Sequence, residues 1–147
     1  MDELNKAALT AFASEFSFYL KTHGFHWNTT GQDFYEYHLL FERIYTDVYG
    51  AIDPFAERIR TLQVTIPASL SGLIAITQVA DCTETPPPDK AAMVAELLAD
   101  NATVIAALKT AYNLCEIYGK FGFQNFLADR IDSHEAHAWM LRSSQAI

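Results

Sequence analysis

Residues 34–57 read FYEYHLLFERIYTDVYGAIDPFAE, and this stretch decides the fold. Phe34, Tyr37, Phe41, Ile44, Val48, Ile52 and Phe55 recur every three or four positions, and Ile59 extends the row. That period is the apolar stripe of an amphipathic helix, not the alternation of a half-buried strand. The helix is expected from about Asp33 to about Leu62. Pro54 lies inside it, where a proline removes the hydrogen bond to the carbonyl of Gly50 and predicts a kink. The apolar period resumes beyond Pro54, so the helix should bend there rather than end.

The rest of the chain reads in the same way. A first helix is expected from about Asp2 to about Trp27, with Leu4, Ala8, Ala11, Phe12, Phe16, Tyr19 and Leu20 inward. Asn28 to Gly31 form the turn that follows. Residues 63–88 look like a long connection, with a short helix around Ser69–Val79 and a breaker run from Thr85 to Pro88. A third helix should run from about Asp89 to about Tyr118, with Met93, Leu97, Ile105, Leu108 and Tyr112 inward. Gly119 to Gly122 make a turn, and a fourth helix follows from about Phe123 to about Ser143. The expected fold is all-α: one domain over residues 1–147, a four-helix bundle with a short extra helix in the long crossover between helices 2 and 3.

Composition narrows the function. Half of the 147 residues are hydrophobic and only 19% are charged, which supports a packed core and weighs against disorder. A net charge of −8 repels nucleic acid and anionic lipid and favours cations, metal ions among them. Cys82 and Cys115 are far apart, with no CxxC pattern, so they form neither a disulfide framework nor a zinc knuckle. They fit a reduced, cytoplasmic setting. The opening MDELNKAAL is acidic and amphipathic, unlike a signal peptide. No unbroken apolar run reaches about 18 residues, so no membrane span is expected.

Metal-capable side chains gather in the first part of the chain: His23, His26, His38, Glu42, Asp53 and Glu57. His38 and Glu42 are one helical turn apart, as are Asp53 and Glu57, and both pairs lie on one flank of the apolar stripe. His38 and Asp53 are separated by about 22 Å along one helix axis. Metal–ligand bonds measure only about 2 Å, so the two pairs cannot share an ion within one chain. They can share one between chains. The numbers of His38 and Glu57 have the same sum as those of Glu42 and Asp53. A two-fold antiparallel pairing of this helix, crossing near Asp47 and Val48, therefore sets each pair level with the other pair of its partner and creates two sites per dimer. Two imidazoles and three carboxylates without a thiolate suit Fe²⁺ better than structural zinc. Open coordination positions suit an oxidation site.

The run Thr22-His23-Gly24-Phe25-His26-Trp27-Asn28-Thr29-Thr30-Gly31 resembles the start of the metal signature of the Dps mini-ferritins. The stretch from Phe34 through His38 to Glu42, then Asp53-Pro54-Phe55-Ala56-Glu57-Arg58, is similar to the rest of it, and Trp139-Met140-Leu141-Arg142 resembles the family's closing helix. The resemblance implies a ferritin-like bundle and a hollow shell of twelve subunits built from two-fold dimers. It implies an iron-oxidising, iron-storing protein: a ferroxidase that uses hydrogen peroxide or dioxygen, binds one or two iron ions per inter-subunit site and stores ferric mineral, limiting oxidative damage. By that resemblance His26, His38 and Glu42 come from one subunit, and Asp53 and Glu57 from its neighbour. Trp27 and His23 sit beside the ligands, with Trp27 positioned to intercept radicals. Family members often carry Asp where Glu42 stands, one methylene shorter. The family name refers to DNA binding, which commonly uses a Lys/Arg-rich terminal extension. Here Lys6 is the only basic residue before Lys21, which argues against strong direct DNA binding.

The other polar and aromatic residues have plainer readings. His134 and His137, with Glu135 between them, fit a solvated helix face, and so do Asp100, Asp129 and Asp132. Phe16, Phe18, Tyr19, Tyr45, Tyr49 and Tyr112 fit packing, and the two cysteines fit small apolar fillers. Two alternatives stay open for function. One is a shell of the same fold that binds DNA or another partner without oxidation. The other is a bundle that buffers zinc or manganese.

Overall fold

The computed structural model describes residues 1–145. It contains five helices: α1 (Asp2–Asn28), α2 (Phe34–Arg60), α3 (Leu70–Ile74), α4 (Lys90–Tyr118) and α5 (Phe121–Ser143). The four long helices form the bundle. α1 packs along both α2 and α4, α5 packs along α4, and α2 and α5 meet over a narrower contact. Residues 61–89, including α3, carry the chain from the end of α2 to the start of α4.

Local signals explain the boundaries. Gly31 (φ +87°) and Asp33 (φ +60°) adopt the left-handed conformation that reverses the chain between α1 and α2. The Asp89 carboxylate accepts from the Ala92 N–H at 2.9 Å and caps α4. Gly119 (φ +66°) ends it, with the Lys120 N–H reaching the Cys115 carbonyl at 2.9 Å. α2 runs through Pro54 without a break. Two boundaries differ from expectation. The crossover helix covers only Leu70–Ile74, because Ser69 caps it through the Gly72 N–H and the chain leaves the helical path after Ile74. α5 starts at Phe121, so Gly122 lies inside the helix rather than in the turn.

The core is a single apolar cluster fed by every helix. Phe55 is fully buried and meets Phe12, Phe123 and Phe126 edge-on, with centroid separations of 5.7, 6.1 and 5.4 Å. Edge-to-face contacts add to area burial, so Phe55→Ala should lower the unfolding free energy by about 3–5 kcal/mol. Urea denaturation at fixed protein concentration measures this directly. A loss under about 1 kcal/mol would mean the cluster repacks freely. Leu20 departs from the expected inward row and is 43% exposed, and Tyr49, expected to pack, is 62% exposed. Cys115 is buried and behaves as a filler, with burial pushing its thiol up to about 11, while Cys82 is only partly buried.

α4 is more apolar than its broken sequence runs suggest. An 18-residue window averages a hydropathy of 1.5, enough by length and composition to cross a membrane. In the bundle its Met93, Leu97, Val104 and Leu108 row is buried, and the helix packs against α1 and α5. Lys21 of α1 holds it in register through Asp100 at 2.7 Å and Glu96 at 3.7 Å. Asp100 is thus an ion-pair partner rather than part of a solvated face.

Candidate metal centre

His26 lies in the last turn of α1 and His38 in the second turn of α2, and the reversal between them stacks the two rings with centroids 3.7 Å apart. The pairing is reciprocal. His26 Nδ1–H donates to the His38 carbonyl at 2.7 Å, and His38 Nδ1–H donates to the His26 carbonyl at 2.8 Å. A carbonyl only accepts, so each Nδ1 carries a proton, which leaves Nε2 as the ring nitrogen that can bind a metal. The His26 carbonyl is one of the last four of α1 and has no partner within the helix, so the contact also satisfies an orphan acceptor. Second contacts of this kind orient imidazoles as metal ligands.

Glu42 lies one turn beyond His38 on α2 and is exposed. Asp53 and Glu57 are exposed too, on the far half of the same helix. A single chain therefore joins His26 with His38, and leaves Asp53 about 22 Å and Glu57 about 28 Å away along α2. Among the described residues no three His, Cys, Asp or Glu side chains converge as a metal site within one chain. His26 is itself buried and His38 part-buried, with the Phe34 ring 4.8 Å from His38 and the Tyr45 ring 5.0 Å from His26. His23 is inserted among aromatics. Its ring stacks on Tyr45 at 3.8 Å and lies 4.2 Å from Trp27, and Tyr19 Oη is 2.9 Å from its Nδ1. Burial, then the neighbouring His26, holds the His23 pKa below its ordinary value.

A second polar group lies in the middle of the bundle. Arg130 of α5 donates from Nε to Glu15 at 2.9 Å and from Nη2 to Asp47 at 3.0 Å. His134 Nε2 lies 2.6 Å from Glu15, and its Nδ1 lies 2.7 Å from Asn101 Oδ1. The Asn101 amide nitrogen donates to the His134 carbonyl, which fixes Oδ1 as the acceptor, so His134 Nδ1 carries a proton. His137 Nε2 lies 2.8 Å from Asp47. The solvated-face reading of His134 and His137 is therefore corrected: they are 0% and 4% exposed. The signal was present in the period. Leu127, Arg130, His134, His137 and Leu141 form one helical stripe, so the polar residues sit on the core row itself.

Burial alone would raise the Glu15 carboxyl, but the charge and hydrogen bond of His134, then those of Arg130, outweigh it and hold Glu15 below its ordinary value. Asp47 is likewise held far down. Burial raises it, and the hydrogen bonds of His137 and Arg130 and the Arg130 charge overcome that. Burial lowers His137, with Asp47 only partly opposing it. Across Glu15, Asp47 and His137 the unfolded chain thus binds more protons than the folded one, and their contribution to stability rises with pH. Stability should begin to fall below about pH 6.5 as His137 charges in the unfolded chain, and fall further below about pH 4 through Glu15 and Asp47. Thermal melts from pH 7 to 3 check this, and a flat melting temperature across that range would contradict it.

Residues 5–145 match the family described as Ferritin-like domain. The "DNA protection during starvation protein" of Brevibacillus brevis is 30% identical over 129 residues, covering 85% of this chain and 83% of the relative. A Dps protein of Vibrio cholerae O1, described as a member of a broad superfamily of ferritin-like diiron-carboxylate proteins, superposes with a TM-score of 0.90 at 31% identity. That match covers 97% of this chain and 88% of the other. Dps of Thermosynechococcus elongatus shares the fold at a TM-score of 0.94 and 23% identity, covering 99% of this chain and 92% of the other. The helix order, the long crossover and these matches agree: the chain belongs to the ferritin-like family, as a Dps-type mini-ferritin.

Proposed function

We propose that this mini-ferritin is a ferroxidase that stores iron in a shell built from two-fold dimers. Fe²⁺ is the substrate. His26, His38 and Glu42 of one subunit bind it together with Asp53 and Glu57 of the neighbour. Hydrogen peroxide accepts two electrons, one from each of two ferrous ions, and the ferric product hydrolyses to mineral inside the shell. Dioxygen is the slower alternative oxidant. The observation that carries this reading is the reciprocal His26–His38 contact, which ties up both Nδ1 atoms and leaves the two Nε2 atoms, on a buried and a part-buried ring, free to bind a metal. An incomplete ligand set is what a second subunit would complete. The antiparallel register of α2 supplies the missing carboxylates. Trp27, next to His26 in the chain and with its ring 4.2 Å from that of His23, is the residue oxidised in place of less dispensable targets.

The test is anaerobic Fe²⁺ loading followed by stoichiometric peroxide, with ferric absorbance and particle mass read on the same sample. Rapid absorbance on a particle of about twelve subunits is the expected result. Oxidation no faster than in buffer would remove the ferroxidase reading. A particle of one or two subunits would remove the shell.

A further inference from the structure

We propose that the guanidinium of Arg130 fills a latent cation seat in the middle of the bundle and so closes the interior of each subunit to divalent metal. In ferritin-like bundles that hold metal internally, carboxylates and histidines from facing helices project into the core at one level. This chain has such a level. α1 gives Glu15, α2 gives Asp47, and α5 gives His134 and His137 at an i, i+3 spacing. Asn101 of α4 orients His134.

Arg130 Nη2 lies at the focus of these groups. It is 2.8 Å from Glu15 Oε1, 3.0 Å from Asp47 Oδ2 and 3.4 Å from His134 Nε2. Three atoms of metal-ligating type thus face one nitrogen, at distances about 1 Å longer than bonds to a metal ion. The charges follow the same logic. Glu15 and Asp47 carry two negative charges and Arg130 supplies one positive charge. The proton between Glu15 and His134 supplies the other. A divalent ion would replace both, but a guanidinium does not deprotonate and, tethered to α5, does not leave. His137 adds an independent sign of incompleteness. Its Nε2–H faces Asp47, and its buried Nδ1 has no hydrogen-bond partner. This inference does not depend on ferroxidase activity, since it concerns a different part of the chain.

The test uses a His38→Ala/Asp53→Ala background, which removes donors from the proposed inter-subunit site. Co²⁺ is titrated and read by its visible ligand-field bands and by the shift in melting temperature. The background should show no tight Co²⁺ chromophore. Adding Arg130→Ala should create one, with about one Co²⁺ per subunit and at least a roughly 100-fold gain in affinity. Adding His134→Ala should abolish it again, and Arg130→Lys, which keeps a cation, should stay closed. Should the Arg130→Ala chain lose its fold without metal, Co²⁺ is expected to restore the helical circular dichroism. A chromophore already present in the background and removed by His134→Ala would overturn the proposal. So would an Arg130→Ala chain that neither gains Co²⁺ nor recovers its fold with it.

Discussion

Mixing His38→Ala subunits with Asp53→Ala subunits restores iron oxidation that neither variant performs alone. Each homodimer of one variant lacks the same ligand in both of its sites, and its rate should fall by at least about 100-fold. In a mixed dimer one site carries both substitutions and the other carries neither. Random reassociation makes half of the dimers mixed, so about a quarter of all sites are intact. The mixture should therefore recover about a quarter of the parent rate after subunit exchange and none before it. Stopped-flow absorbance before and after exchange reads both values. No recovery after verified exchange would mean that His38 and Asp53 do not serve one shared site. Both residues lie off the core stripe, and Asp53 is exposed, so helix content and assembly should survive the changes.

Glu15→Ala should be among the most destabilising single substitutions in the chain. Glu15 is 0% exposed and binds Arg130 and His134, which are also buried. Replacing a buried ion pair as a whole can be neutral, but removing one partner leaves the other charge without compensation. The expected loss is about 3–5 kcal/mol, or roughly 10 °C in melting temperature for a domain of this size. The pH profile carries a second signature. With Glu15 absent, the drop below about pH 4 should shrink, since one of the two depressed carboxyls is gone. Differential scanning calorimetry at fixed protein concentration reads the loss. A change under about 1 kcal/mol would show that water or Asp47 replaces the missing carboxylate.

The fold was largely legible because the long helices each keep an unbroken period. Leu4, Ala8, Ala11 and Phe12 in α1, and Phe41, Ile44, Val48 and Phe55 in α2, are buried as that period requires. Helix ends were legible where a cap or a left-handed glycine marked them, as at Asp89 and Gly119. The crossover was harder, because five helical residues are too few to show a period. The meeting of His26 and His38 could be anticipated from the turn between α1 and α2. The side of the chain on which Asp53 and Glu57 find partners rests on spacing and register. The buried group around Arg130 was missed because polar side chains were assigned to solvent by type. Arg130, His134 and His137 continue the Leu127–Leu141 row, and periodicity, weighed above residue type, would have put them inside.

The hydrogen bonds that orient His26 and His38 end on main-chain carbonyls, not on side chains. Each acceptor is the other histidine's own carbonyl, so no exchange of a third residue can delete it. A saturation scan would find the proposed ligands intolerant, yet no further side chain that must be kept to orient the two histidines. The orientation is inherited through the backbone path of the turn at Gly31 and Asp33, which makes it robust to sequence drift everywhere except in that turn. Chains that have diverged far elsewhere can thus carry the same ligand geometry, provided the hairpin between the first two helices keeps its length.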